Sequence, residues 1–225
     1  MVGFSCYEGY GLTETSPLVA ANGWSGPGTS KLYCVGRVAN GVKVTIDTDA
    51  WDDPDRPDEG EIIVTGPNVM LGYWNNPQAT ADAIDPGRWM HTGDLAVMDA
   101  DGYANIVGRI KDMVIRGGEN IYPREIEEFL FTHPDIVDVQ VIGVPDAKFG
   151  EELLAAVKLQ EGANLDEEAI KAFCRGKIAH YKVPRYVSLV EDYPMTVTGK
   201  IQKFKLREMA IEELGLTDAA AIKMA

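Results

Sequence analysis

Asp94 and Arg109 are the residues in this sequence whose types and spacing first suggest chemistry. They flank DLAVMDADGYANIVGR, in which apolar residues alternate with others on both sides of Asp101-Gly102. Asp-Gly between alternating runs is a strong hairpin signal, and a hairpin brings residues on its two arms together. A carboxylate so placed can accept two hydrogen bonds from a sugar diol, and an arginine can donate to the same sugar or to a phosphate. The same spacing suits a structural ion pair equally well. Residue types alone leave both readings open.

Other polar stretches are weaker by themselves. Lys200 lies in TVTGKIQK, where Gly199 gives the backbone freedom and Thr196 and Thr198 can bond locally, but the pattern alone is a surface lysine before a basic helix. EGYGLTET reads as a Gly-rich turn with a helix cap. NGWSGPGTSK at 22–31 lacks the spacing of a phosphate loop and is followed by the strand-like LYCVGRV, so it reads as a surface connector. His91, His133 and His180 are far apart and show no metal-ligand spacing. No Gly-x-Ser-x-Gly elbow supports a serine nucleophile.

The elements that must position these residues change character along the chain. Met1–Cys6 is short and apolar, like the last strand of something before it, and a strand there needs a partner. Residues 32–110 are strand-like: VKVTI and EIIVTG alternate around the polar, Pro-rich DPDRPDEG, and VMLGYWNNPQATADAI reads as a loop and short helix. Short strands broken by Gly, Pro and Asp predict a small antiparallel, barrel-like sheet. Glu61 reads as structural. GRIKD is a joint, after which the pattern is mixed α and β. DMVIRGGENI is two short strands around Gly117-Gly118, and PREIEEFLFTHP is a helix with Pro in its first turn. IVDVQVIGVPD, EELLAAVKLQ and VPRYVSLVED are three further strands, the second with two glutamates that could blunt an edge. LDEEAIKAFCRGKI and KFKLREMAIEEL are helices, and TDAAAIKMA reads as a fraying tail. The fold class is α+β, with domains at 1–110 and 111–225.

Composition narrows the partners. A net charge of −14 argues against nucleic acid or an anionic membrane surface. Cys6, Cys34 and Cys174 are odd in number and far apart, which suits reduced structural thiols in a cytoplasmic protein. There is no apolar run near the roughly 18 residues of a membrane span and no signal-peptide pattern.

Five segments in one order carry a resemblance. GYGLTETSP, GEIIVTGPNVMLGYW, HTGDL, GRIKDMVIRGGENIYPREIE and PMTVTGKIQK resemble the motifs of the AMP-forming adenylating enzymes, which include acyl-CoA synthetases, luciferases and peptide-synthetase adenylation domains. The resemblance covers nearly the whole chain, and the wording is most similar to medium- or long-chain fatty acyl-CoA synthetases. It implies ATP, Mg²⁺ and CoA as cofactors. Gly9, Tyr10, Gly11, Thr13, Asp94 and Arg109 would hold ATP or AMP, with the Tyr10 ring facing adenine and the two glycines allowing close backbone approach. Glu14 would meet Mg²⁺. Lys200 would be the adenylation lysine, stabilising charge that builds as a carboxylate attacks the α-phosphate. Lys111 would be the hinge about which a small domain rotates. Gly117, Gly118 and Glu119 would then meet the thiol of CoA. Lys111, Arg116, Lys182 and Lys200 are local cations for these polyanions.

In that family a Ser/Thr/Gly-rich phosphate loop lies upstream of the YGLTE motif, whereas Met1 stands nine residues before Tyr10. The expectation is therefore the C-terminal part of such a synthetase, inactive alone and with an N-terminal half as a possible partner. The alternatives are an adenylation domain that loads a carrier protein, and a non-catalytic nucleotide-binding or partner-complementing fragment.

Overall fold

The computed structural model describes residues 7–23, 31, 34–49 and 57–220. The strand at Met1–Cys6, the thiol of Cys6, most of the 22–31 connector, part of the Pro-rich turn and the last five residues lie outside the described residues. The chain divides into two compact units, Met1–Lys111 and Asp112–Ala225.

The first unit contains β1 (Gly9–Tyr10), β2 (Ala20–Ala21), β3 (Gly36–Val38), β4 (Lys43–Asp47), β5 (Gly60–Thr65), α1 (Pro77–Ala83), β6 (Met90–Met98) and β7 (Tyr103–Arg109). The strands form one antiparallel sheet in the order β1-β2-β3-β7-β6-β5-β4. Among the described residues it is an open sheet and not a closed barrel. Ile62 and Val64 from β5 alternate with Ile63 and sit fully buried. Val64 joins Val19, Val69, Ile84 and Met90, while Ile62 joins Ala96 and Ala104. Tyr10 packs against both clusters, which fixes the Gly-rich segment to the sheet. The hairpin turn spans residues 99–102, with Ala100 and Asp101 at its centre: Gly102 donates its N–H to the Asp99 carbonyl at 3.0 Å, the Asp99 carboxylate accepts the N–H of Asp101 at 3.0 Å and of Tyr103 at 2.9 Å, and Gly102 takes φ +79°. α1 is the short helix expected within VMLGYWNNPQATADAI, capped by Asn76, whose side chain accepts the Ala79 N–H at 3.1 Å.

The second unit contains β8 (Val114–Arg116), β9 (Glu119–Ile121), α2 (Pro123–Leu130), β10 (Ile136–Asp146), β11 (Gly150–Leu159), α3 (Glu167–Cys174), β12 (Tyr186–Leu189), α4 (Lys203–Glu213) and α5 (Thr217–Ala220). Its core is three-stranded: β11 pairs antiparallel with β10 and parallel with β12. The β8–β9 hairpin joins the same sheet through Arg116 opposite Gly150. Both faces are covered. Val139, Val141, Leu153, Ala155 and Val157 meet Ile126 and Leu130 of α2 and Ile170 and Cys174 of α3. Ile142, Val144, Leu154 and Ala156 meet Tyr193 and, from α4, Leu206 and Ala210. This two-sided burial explains the continuous apolar run at 153–157 in β11. Truncating a core residue such as Leu153 to Ala would cost roughly 2–5 kcal/mol.

Two expectations are corrected. The paired glutamates of β11 do not blunt an edge, because β11 lies inside the sheet. Glu152 is 1% exposed and takes two hydrogen bonds from Arg116, both 2.7 Å. Glu151 accepts the Ile115 N–H at 3.0 Å and pairs with Arg207 at 2.8 Å. They latch the hairpin to the sheet, and removing Arg116 would leave the buried Glu152 carboxylate only the longer contact to Arg185, at 3.6 Å. The C-terminal stretch also does more than fray: Thr217–Ala220 forms a helical turn.

Candidate active site

The segment His91-Thr92-Gly93-Asp94 departs from a regular strand, and each residue has a part in that departure. Ile63 pairs with His91 and Glu61 with Leu95, so Thr92, Gly93 and Asp94 bulge opposite Ile62 alone. Gly93 takes φ +73°, a conformation that suits glycine. The Thr92 hydroxyl donates to the Ile62 carbonyl at 2.6 Å and accepts the Asp94 N–H at 3.1 Å. Glu61 is buried beneath the bulge; its Oε1 accepts the Gly93 N–H at 2.7 Å and its Oε2 lies 2.7 Å from His91 Nδ1. That last contact calls for the proton on Nδ1.

The bulge delivers Asp94 opposite Arg109, its register partner on β7. Asp94 is 3% exposed. Its Oδ1 lies 2.8 Å from Arg109 Nε, and its Oδ2 accepts the Tyr10 hydroxyl at 2.7 Å. Burial, then the Asp94 charge, raises the Tyr10 phenol well above its ordinary pKa, so it stays a donor. The ion pair left open by the sequence is present. Each carboxylate oxygen still has acceptor capacity for a sugar hydroxyl, and the Arg109 side chain is 51% exposed, so the pair does not exclude the ligand-binding role.

The Gly-rich segment is fixed by contacts within the chain. A Cβ on Gly11 would fall 1.6 Å from the Pro17 carbonyl oxygen, so its need for glycine comes from the chain's own backbone. A Cβ on Gly9 would make only ordinary contact with Leu18. The edge of Tyr10, through its hydroxyl, is committed to Asp94. Thr13 and Glu14 lie on a 3-10 turn, Thr13–Thr15, where Thr13 is exposed and Thr15 is turned inward to bond the Leu12 N–H at 2.9 Å. Glu14 accepts the Tyr73 hydroxyl on Oε1 at 2.8 Å, which raises the Tyr73 pKa.

Lys111 is exposed on a 3-10 turn, Ile110–Asp112, at the boundary of the two units. In the second unit, Gly117 and Gly118 form the β8–β9 turn with φ +63° and +94°. Gly117 donates its N–H to the Phe149 carbonyl at 2.8 Å, and a Cβ on it would press the Phe149 ring at 3.0 Å. Gly118 and Glu119 are exposed, with open space beside Gly118. Lys200 is exposed on a tight loop closed by the Thr196 N–H to the Lys200 carbonyl at 2.8 Å and the Gly199 N–H to the Thr196 carbonyl at 2.9 Å. The Thr196 hydroxyl accepts the Lys200 N–H at 3.1 Å. Arg116 and Lys182 are corrected as free cations for a polyanion. Arg116 is held by Glu152, and Lys182, 8% exposed, is gripped by both Glu125 oxygens at 2.7 and 2.8 Å.

Sequence reading missed the Glu61–His91–Gly93 brace and the Tyr10 hydroxyl bond. The one available signal was Glu61, a charged residue amid the apolar alternation of EIIVTG.

Residues 2–74 match the model of the AMP-binding enzyme, and residues 125–200 match that of the AMP-binding enzyme C-terminal domain. The chain belongs to the AMP-binding enzyme family. Relatives of this family include YngI of Bacillus subtilis strain 168, named as an acyl-CoA synthetase, which is 50% identical over 211 residues, 93% of this chain and 38% of its own length. The mitochondrial medium-chain acyl-CoA ligase ACSF2 of Bos taurus is 49% identical over 208 residues, 92% of this chain and 34% of its own. The ATP-bound crystal structure of MatB from Rhodopseudomonas palustris superposes with a TM-score of 0.83 at 39% identity, over 92% of this chain and 41% of that one. The chain thus spans about a third to two-fifths of the length of these AMP-binding enzymes.

Proposed function

We propose that these residues belong to an ATP-dependent acyl-CoA synthetase that joins a fatty acid to CoA through an acyl-adenylate. The observation that carries the reading is the buried Asp94, delivered by its bulge to Arg109 and Tyr10, in a chain whose relatives are named as acyl-CoA synthetases and ligases. A carboxylate oxygen attacks the α-phosphorus of ATP, the bond to pyrophosphate breaks, and the CoA thiol then attacks the acyl carbonyl and displaces AMP.

On this reading Asp94 accepts from the ribose hydroxyls of the nucleotide, the exposed Arg109 guanidinium donates beside it, and Thr13 offers its hydroxyl to the phosphates. Tyr10 and the Glu61 brace hold Asp94 in place. Lys200 serves adenylation, while the Gly117-Gly118 turn and Glu119 serve thioester formation, with Lys111 as the hinge between the two uses. Glu14 would hold magnesium: Tyr73 donates to its Oε1, its Oε2 would serve the ion, and magnesium is commonly held by one or two carboxylates plus substrate phosphates. When bound it would neutralise polyphosphate charge.

A further part of the reading is a requirement for the rest of such an enzyme, since a bound, aligned carboxylate can supply roughly 7–11 kcal/mol of the barrier. A cytoplasmic location suits the odd, dispersed cysteines, and no described helix is long and apolar enough to cross a membrane. The test is fatty-acid-dependent pyrophosphate exchange over short to long chains. Exchange is expected in a full-length protein carrying these residues and not in a polypeptide of these 225 residues alone. Exchange by that polypeptide, or none by either, contradicts the reading.

A further inference from the structure

α4 begins with a feature that helix physics disfavours. Lys203 stands in its first turn, where the positive end of the helix dipole repels a cation, and Gln202 before it supplies no side-chain cap. The lysine is compensated from elsewhere in the unit. Its Nζ lies 2.7 Å from Glu127 Oε1 on α2 and donates to the Val141 carbonyl on β10 at 3.2 Å. The same Glu127 oxygen accepts the Val141 N–H at 2.8 Å. Both side chains are largely buried, 23% and 18% exposed. Lys203 thus pins the start of α4 to two other elements at one point.

That point lies three residues from Lys200. Between them, Ile201 bridges to Met195, and Gln202 donates its N–H to the Pro194 carbonyl at 2.8 Å, so the loop's base is tied to the pinned residue. Apart from its own internal bonds, the exposed Lys200 loop has no other side-chain ion pair among the described residues.

We propose that Lys203 and Glu127 are positioning residues for Lys200, setting the height and direction of the loop from which its ammonium acts. The inference rests on the adenylation role given to Lys200 above. A buried ion pair tolerates few arrangements, so it serves registry better than stability. A lysine ammonium only slightly out of place loses much of its effect on the transition state, about 10²-fold for an ångström-scale misplacement.

The experiment uses full-length protein carrying Lys203→Met, Lys203→Arg, Glu127→Gln or Lys200→Ala. Pyrophosphate exchange and thioester formation from supplied acyl-adenylate are measured separately, with thermal unfolding as the check on folding. Lys203→Met and Glu127→Gln are expected to slow exchange by about 10–10²-fold with thioester formation within about twofold, and Lys203→Arg to restore most of the exchange. Hydrogen exchange at Thr196, Gly199 and Lys200 is expected to quicken in Lys203→Met and recover in Lys203→Arg. If Lys203→Met fails to fold, Glu127→Gln is judged by the same criteria. Exchange unchanged in these variants but lost in Lys200→Ala overturns the positioning role alone. Equal loss in both half-reactions overturns it in favour of a general structural role. Exchange unaffected even by Lys200→Ala overturns the adenylation reading and this inference with it.

Discussion

The two carboxylate oxygens of Asp94 are held by residues from two other strands. Arg109 meets one and the Tyr10 hydroxyl the other, while Thr92, Gly93 and Glu61 hold the backbone beneath. The Tyr10 bond makes a direct prediction. Tyr10→Phe removes a donor to a carboxylate, an interaction of roughly 1.5–3 kcal/mol, and is expected to weaken AMP binding about tenfold or more. Titration calorimetry with AMP on full-length protein checks this, and an unchanged affinity would mean that the hydroxyl does not orient Asp94. That Asp94 and Arg109 lie on facing arms was legible from the hairpin signal, but their direct pairing was not: Met98 pairs with Ala104, and a register shift between Leu95 and Ala96 is what places Arg109, and not Gly108, opposite Asp94. Nor was the Tyr10 bond, since it joins residues 84 positions apart through a sheet whose strand order the sequence does not encode locally.

Turns and helices set what each functional segment can present. The β8–β9 turn needs positive φ at Gly117 and Gly118, and open space lies beside Gly118. Gly118→Leu would therefore add a side chain on the exposed side at a backbone cost of roughly 1–2 kcal/mol. It is expected to slow thioester formation from acyl-adenylate while sparing pyrophosphate exchange; loss of exchange alone would assign the turn to the other half-reaction. Element types were read well where the apolar pattern was long, a continuous run in β11 and helical spacing in α3. The role of Glu151 and Glu152 was misread because a pair of carboxylates at a strand start looks like an exposed edge. Only the partner strands and Arg116 show that it is an interior latch.

On the scale of the molecule, each unit has its own core. Residues 112–225 enclose two apolar clusters on opposite faces of one sheet, and they are expected to fold without the preceding residues. A single cooperative thermal transition would be the sign; a non-cooperative, dye-binding profile would contradict it. Acid should weaken this unit at one identifiable place. Burial pulls the Asp146 carboxyl up, but the N–H groups of Phe149 and Lys148 and the charges of Arg185 and Arg116 outweigh it and hold its pKa below the ordinary value. A carboxyl depressed by folding stabilises the fold above its unfolded pKa, and that contribution is lost as pH falls through the folded value. Asp146→Asn is therefore expected to lower the Tm at neutral pH, with the gap to the parent closing as pH drops below about 3.9. A gap that widens in acid would reverse the sign. The change of pattern near GRIKD can be read in the sequence, whereas the latch and the Lys203 pin cannot, because both are made by residues distant in sequence.

Lys200 offers the most direct test of the proposed chemistry. In full-length protein, Lys200→Ala should abolish fatty-acid-dependent pyrophosphate exchange yet leave thioester formation from supplied acyl-adenylate largely intact, because only the first step builds charge at the phosphoryl centre. Equal loss of both half-reactions, or undiminished exchange, would contradict the assignment of this lysine to adenylation.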